Sequence, residues 1–317
     1  MTASHFLLAY FLSETLADGE QVRFAVSDGP EPTSWTPLNQ GRPVLPSTVG
    51  ELGSRDPFLV RDEVRGTFAV IATDLRVWPD EDWNRAVRHG SRSIVVWQSR
   101  DLVSWSPPVL REIAPAEAGN TWAPKAFWSN RRDAWLVFWA SALFSPGEER
   151  RAGQYQRILV AETTDFVHFS PARVHLDAGH DVIDLTFLEY ADRWYRFSAN
   201  AHGNPAPAGI GHHIFEEAGQ NLEDPYFEPL TFDIGKSVMA RAEGPATAAH
   251  PFEPRWYLLA DEFGLRGYQL FETDDLSSGG WSHRPDAAFP AGARHGSLLA
   301  ISSEERARLL AASWPAA

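Results

Sequence analysis

Five copies of one strand-like unit run through this chain, and that recurrence restricts its fold more than any other feature. The copies are His5–Leu12 (HFLLAYFL), Thr67–Asp74 (TFAVIATD), Asp133–Ser141 (DAWLVFWAS), Asp192–Asn200 (DRWYRFSAN) and Pro254–Glu262 (PRWYLLADE). Each is rich in the β-branched and aromatic residues that suit a pleated surface. A second, shorter run accompanies each copy: Asp56-Pro57-Phe58-Leu59, Trp122-Ala123-Pro124, Asp184-Leu185-Thr186-Phe187, Glu243-Gly244-Pro245 and His295-Gly296-Ser297-Leu298. Most copies are followed by a small or polar residue, an Asp, a short turn and an aromatic. Examples are Ser27-Asp28 with Trp35, Arg100-Asp101 with Trp105, Thr164-Asp165 with Phe169, and Asp274-Asp275 with Trp281. Here the Asp is suited to cap the turn with its own side chain, and the aromatic to begin an outer strand. The copy expected at Asn221–Phe227 is degenerate.

Units of about 50–75 residues, each holding about four short strands, predict an all-β chain folded as a five-bladed β-propeller. The fifth inner run begins at His295, near the C-terminal end, while its aromatic partner His5–Leu12 lies at the N-terminal end. The last blade is therefore expected to be closed by N- and C-terminal strands. Ser303–Ser313 reads as a short C-terminal helix, with a Ser cap and Glu behind it. Pro and Gly are spread throughout and no linker stands out, so residues 1–317 are expected to form one domain.

Composition narrows the function classes. With 28 Lys and Arg against 42 Asp and Glu, the net charge is −14, which repels phosphate and argues against nucleic acid or a membrane as partner. The absence of cysteine excludes disulfides, thiolate metal sites and cysteine nucleophiles. No stretch approaches the ~20 apolar residues of a membrane helix. No basic residue precedes Phe6–Leu12, which reads as a strand rather than a signal peptide, and the expected location is cytoplasmic. Most of the 13 Trp are expected in the core, with a few in a cleft where flat faces suit sugar rings. His212-His213 and the loop from His202 to Pro207 lack a metal-binding spacing and read as loop residues. Asp80-Glu81-Asp82 reads as a solvated loop that could rim a site. No Gly-rich phosphate loop or Gly-x-Ser-x-Gly elbow occurs.

Inner strands of a propeller converge on a central channel, and their first residues face its mouth. The five openers are Asp56, Trp122, Asp184, Glu243 and His295, so acids recur at what reads as one register of three repeats. Carboxylates gathered in one funnel repel each other and raise at least one pKa. A protonated carboxyl and an ionised one are the two groups that glycoside hydrolysis needs. Singly, each has a structural reading: an Asp before Pro as a turn residue, a Glu before Gly-Pro as a strand end. Their recurrence favours chemistry. A non-catalytic carbohydrate-binding propeller is the alternative, though it has no need of three acids at one mouth. A protein-interaction propeller lacks support, because Trp-Asp strand ends and seven- or eight-fold repetition are missing.

Five stretches in order, Arg55-Asp56-Pro57, Thr121-Trp122-Ala123-Pro124, Val182-Ile183-Asp184, Glu243-Gly244-Pro245 and Arg294-His295-Gly296, resemble glycoside hydrolase family 43. Gly90–Trp97, Asp261-Glu262-Phe263-Gly264 and Arg266-Gly267-Tyr268 resemble one bacterial branch of it. The resemblance covers nearly the whole chain. It implies an arabinofuranosidase or xylosidase, with other furanosides as further substrates, acting with inversion on a small oligosaccharide or glycoside. It also implies Asp56 as general base, Glu243 as general acid and Asp184 as modulator of the acid's pKa. Trp122 would wall the sugar site or pack the channel. Arg294 would contact a sugar hydroxyl or pair with an acid. Such hydrolysis requires no cofactor. The resemblance places His295 beside a structural metal ion, often Ca2+, in the central channel, or beside a water; its structural reading is a hydrogen-bonded channel residue. Three positions depart from the family pattern: Lys125, where Glu or Gln is usual, Ser198-Ala199-Asn200, where a Lys is usual, and Ala248-Ala249-His250, where a basic residue often stands. They leave the sugar preference open.

Overall fold

The structure, a computed structural model, describes residues 2–147, 149–200 and 212–314. Its strands form five four-stranded antiparallel sheets, the blades of a five-bladed β-propeller. The inner strands are Arg55–Asp62, Trp122–Ser129, Ile183–Tyr190, Glu243–Ala249 and Arg294–Ile301. Each pairs with one of the aromatic strands seen in the sequence.

The aromatic strands are apolar throughout because a blade is covered on both faces. Ala134–Ala142 is buried along its whole length. Leu136, Phe138 and Ala140 point one way and join Leu185, Phe187 and Phe197 of the third blade. Trp135, Val137 and Trp139 point the other way and join Ile71 and Val96 of the first blade. This is the two-residue period of a strand with a core on either side. His5–Phe11 obeys the same rule: Leu7 and Ala9 face the first blade, while Phe6, Leu8 and Tyr10 face the fourth.

That strand also closes the ring. It lies between Arg294–Ile301 and Arg23–Ser27, with His5 opposite Ile301, Ala9 opposite Ser297 and Phe11 opposite Arg294. The approach is close at Gly296, where a Cβ would sit 1.9 Å from the Ala9 carbonyl oxygen.

The turn aspartates behave as expected. Asp101 Oδ1 accepts the backbone N–H groups of Val103 and Ser104 at 2.9 and 2.7 Å, and Asp165 Oδ1 those of Val167 and His168 at 2.8 Å each. The aromatics that follow do not all begin outer strands. Trp35 does, in Trp35–Pro37, but Trp105 precedes Val109–Glu112 and Phe169 precedes Arg173–Leu176. Trp105 instead closes its turn: its indole N–H donates to the Leu102 carbonyl at 3.0 Å and its ring meets Phe24.

The C-terminal helix spans Ser303–Ala311 and is capped by Ser302, one residue before the expected start. Its Glu305 completes a capping box and receives Arg61 of the first blade at 2.8 and 3.0 Å. An additional helix, Trp83–Arg88, interrupts the first blade. Asp82 caps it by accepting the Arg85 N–H at 2.9 Å. Among the described residues no helix is long and apolar enough to cross a membrane.

Candidate active site

Every inner strand is disrupted near its start by a β-bulge, where two residues oppose one on the neighbouring strand. In four of the five, the first bulge residue is left-handed: Asp56 at φ 53°, Ala123 at 50°, Asp184 at 59° and Gly244 at 59°. Asp tolerates that region better than most side chains, and Gly tolerates it freely. The bulge re-aims its residue into the channel.

This geometry corrects the single register expected for the three acids. Asp56 and Asp184 align with Ala123, Gly244 and His295 at the bulge. Glu243 stands one position earlier, with Arg55, Trp122, Ile183 and Arg294. Adjacent residues at a bulge point in different directions, so the site has two groups of side chains.

The bulge residues meet each other. His295 Nδ1 lies 3.1 Å from Asp56 Oδ1 and 3.8 Å from Asp184 Oδ2, and all three side chains are nearly inaccessible. Asp56 Oδ2 accepts the Thr73 hydroxyl at 2.7 Å, and Asp184 Oδ2 accepts the Gly244 N–H at 3.0 Å. A Cβ at Gly244 would come within 2.5 Å of the His295 ring, which explains the glycine after Glu243.

The preceding residues form a charged lattice. Arg294 donates to Glu243 Oε1 at 2.8 Å, to Glu14 Oε2 at 2.8 Å and to Asp261 Oδ2 at 3.1 Å. Arg55 donates to Glu20 at 3.0 Å and to Glu14 at 3.4 Å, and lies over the rings of Phe11 and Trp83. Trp83 in turn meets Trp122 edge-on at 6.2 Å.

The acids are driven apart in pKa. Burial pushes Glu243 up to about 8, with the charges of Asp184 and Asp261 adding to it against Arg294. Asp184 is raised by burial, Asp56 adding to it and His295 opposing. Burial also works to raise Asp56, but the His295 charge and hydrogen bond, Arg55 and Thr73 outweigh it and hold that carboxyl well below the ordinary range. His295 loses by burial and gains more from Asp184 and Asp56, so it is raised.

Asp56, Asp184, Glu243, Trp122, Arg294 and His295 all line one cleft of about 640 Å³. Glu14, Trp83 and Asn200 line it too and were not foreseen. Glu14 and Trp83 come from a loop and an inserted helix outside the repeating unit, so the repeat gave no sign of them. Asn200 follows the strand Arg193–Ala199 at one of the departures from the family pattern, and its buried Oδ1 has no partner among the described residues. None of Asp80, Glu81 and Asp82 lines the cleft; the helix they introduce does. His213 is buried and bonds through Nε2 to the Met239 carbonyl oxygen at 3.0 Å, while His202 to Pro207 lie outside the described residues. Among the described residues no group of three or more His, Cys, Asp or Glu is placed to ligate a metal ion directly.

A family model described as "Probable glycosyl hydrolase domain" matches residues 2–307. An α-L-arabinofuranosidase of Bifidobacterium longum subsp. longum is 28% identical over 302 residues, which is 86% of this chain; the chain spans only 28% of that relative's length. A solved thermostable family-43 glycoside hydrolase superposes with TM-score 0.55 at 18% identity, over 80% of this chain and 81% of that one. The catalytic domain of the Coprinopsis cinerea GH62 α-L-arabinofuranosidase does so with TM-score 0.53 at 13% identity, over 80% and 76%. At these identities the solved structures speak for the fold.

Proposed function

Because the chain belongs to glycoside hydrolase family 43, and is therefore a glycosidase acting on carbohydrate, we propose that it cleaves α-L-arabinofuranosides or β-xylosides, other furanosides included, with inversion at the anomeric carbon. One observation carries the reading: Glu243 and Asp56 share a cleft that raises the pKa of the first and depresses that of the second. At neutral pH Glu243 holds a proton and gives it to the leaving oxygen. Ionised Asp56 takes a proton from the water that attacks the anomeric carbon from the opposite face. Thr73 and His295 hold the Asp56 carboxylate by its edges and fix its aim. Asp184 keeps Glu243 protonated by its charge and anchors the following residue through the Gly244 N–H. Arg294 donates to the Glu243 carboxyl and restrains it until substrate arrives. Trp122 and Trp83 wall the sugar, and Asn200 Oδ1, without a partner among the described residues, accepts one of its hydroxyls. Preference for the arabinofuranoside rests on the name of the Bifidobacterium relative.

The test is a panel of nitrophenyl α-L-arabinofuranoside, β-D-xyloside and β-D-galactofuranoside, with the first-formed anomer followed by NMR. Inverted product from one or more is expected. Retained configuration would remove Asp56 as the base, and an inert panel would remove the substrate class.

A further inference from the structure

Lys125 is a buried charge that the mechanism above does not use. It stands on the inner strand Trp122–Ser129 with none of its surface exposed. Its ammonium crosses to the strand of His295 and donates to the Gly296 carbonyl at 3.3 Å, with the Phe58 ring 5.4 Å away. An ammonium so removed from water is unfavourable unless opposite charge compensates it. Lys125 makes no ion pair among the described residues; the compensation comes at longer range from Asp56 and Asp184, which close on the His295 ring next to Gly296. Burial lowers Lys125 to about 8, while Asp56 and Asp184 hold it up, so it remains charged at neutral pH.

The same surroundings do not suit a metal ion. Calcium takes about six to eight oxygen ligands. On His295 itself the buried atom left without a partner among the described residues is a nitrogen, Nε2. Three of the four oxygens of Asp56 and Asp184 are already engaged, by Thr73, His295 and Gly244. A divalent ion would also share the channel with a fixed positive charge.

We propose that the Lys125 ammonium is the channel's own resident cation, balancing the Asp56 and Asp184 carboxylates where the family pattern implies a metal ion. Lys125 is thus a positioning residue that acts through Asp56. The inference stands on the channel's geometry; the proposed hydrolysis serves it only as a readout.

The first experiment is elemental analysis of the purified protein, with melting temperature and kcat measured in EDTA and in added Ca2+. Less than about 0.1 equivalent of divalent metal and unchanged values are expected. A stoichiometric metal ion, or loss in EDTA restored by Ca2+, would overturn the proposal. The second is Lys125→Met, expected to lower kcat at least tenfold while KM stays within about threefold. Wild-type kcat in that variant would also overturn it. If Lys125→Met does not fold, Lys125→Cys supplies the check, because the chain has no other cysteine. The variant is alkylated in denaturant with bromoethylamine, which rebuilds an ammonium, or with iodoacetamide, which does not, and is refolded beside wild type. Recovery of the native melting transition only in the ammonium-bearing protein is expected, and equal recovery of both overturns the proposal. The metal content and melting results need no substrate, so an inert glycoside panel would sink the proposed function and leave this inference to be judged separately.

Discussion

Glu243 and Asp56 are carboxyls in one cleft, and opposite surroundings give them opposite protonation at neutral pH. The sign of the pH dependence follows. Asp56, held below the ordinary carboxylate range, stays ionised across mildly acidic conditions. Glu243 stays protonated below about 8 and loses its proton above it. The kcat/KM profile is therefore expected to be flat from about pH 5 to about pH 7 and to fall as pH rises through Glu243's own pKa. In Glu243→Gln the part of that limb owed to Glu243 should vanish, leaving only the part owed to the Lys125 charge. The variant should lose about 10²–10⁴-fold on glycosides with poor leaving groups and much less on nitrophenyl glycosides, which need little protonation. Equal loss on both would exclude Glu243 as the acid. Asp56→Asn should lose about 10²-fold or more in kcat while isothermal titration still finds the sugar bound. All three acids were legible in the sequence because each opens a repeat. Glu14 was not, since it lies on a loop that no other blade copies, where it lines the cleft and binds two arginines.

The element that sets these residues is the bulged start of the inner strand. Read as plain repeats, Asp56, Asp184 and Glu243 share one register; in the folded chain Glu243 precedes the bulge and the two aspartates occupy it. The mark was in the sequence. Pro57, Pro124 and Pro245 each follow the first bulge residue, where a missing backbone N–H does no harm to the ladder. Alignment on those prolines sets Glu243 beside Arg55 and Trp122. The third and fifth blades have no such proline, which is why the offset stayed hidden. The bulge also yields a prediction. Gly244→Ala would force an alanine into left-handed backbone, costing about 1–2 kcal/mol, and drive its methyl into the His295 ring. Displacing that ring by about 1 Å should reduce kcat by roughly 10²-fold. An unchanged kcat would mean that His295 does not hold Asp56 in its working position.

At the scale of the molecule, five blades were legible because repetition and alternation state the same architecture twice. What repetition could not state was the inserted helix at Trp83–Arg88, which belongs to one blade alone and brings Trp83 to the cleft. Closure follows from the unpaired runs at the two ends. His5–Phe11 is the inner neighbour of Arg23–Ser27 and the partner of Arg294–Ile301, and its removal leaves both with open edges. Deleting the first 12 residues is expected to give insoluble protein, or protein melting at least about 10 °C lower. A truncated chain with the native melting temperature would refute the closure.

The pairing of the two ends also orders events in time. Arg294 and His295 ride on the last of the five inner strands to leave the ribosome, and the strand that fixes them precedes the other four blades. A nascent chain with four blades finished already carries Asp56, Asp184 and Glu243, but has neither the imidazole that aims Asp56 nor the guanidinium that restrains Glu243. Under the proposed mechanism such an intermediate can neither orient water nor settle its acid. Joining ends so far apart in sequence is slow, so hydrolytic power should switch on in one step as the loop of chain becomes a ring. Regain of turnover during refolding then serves as a stopwatch for that final stitch.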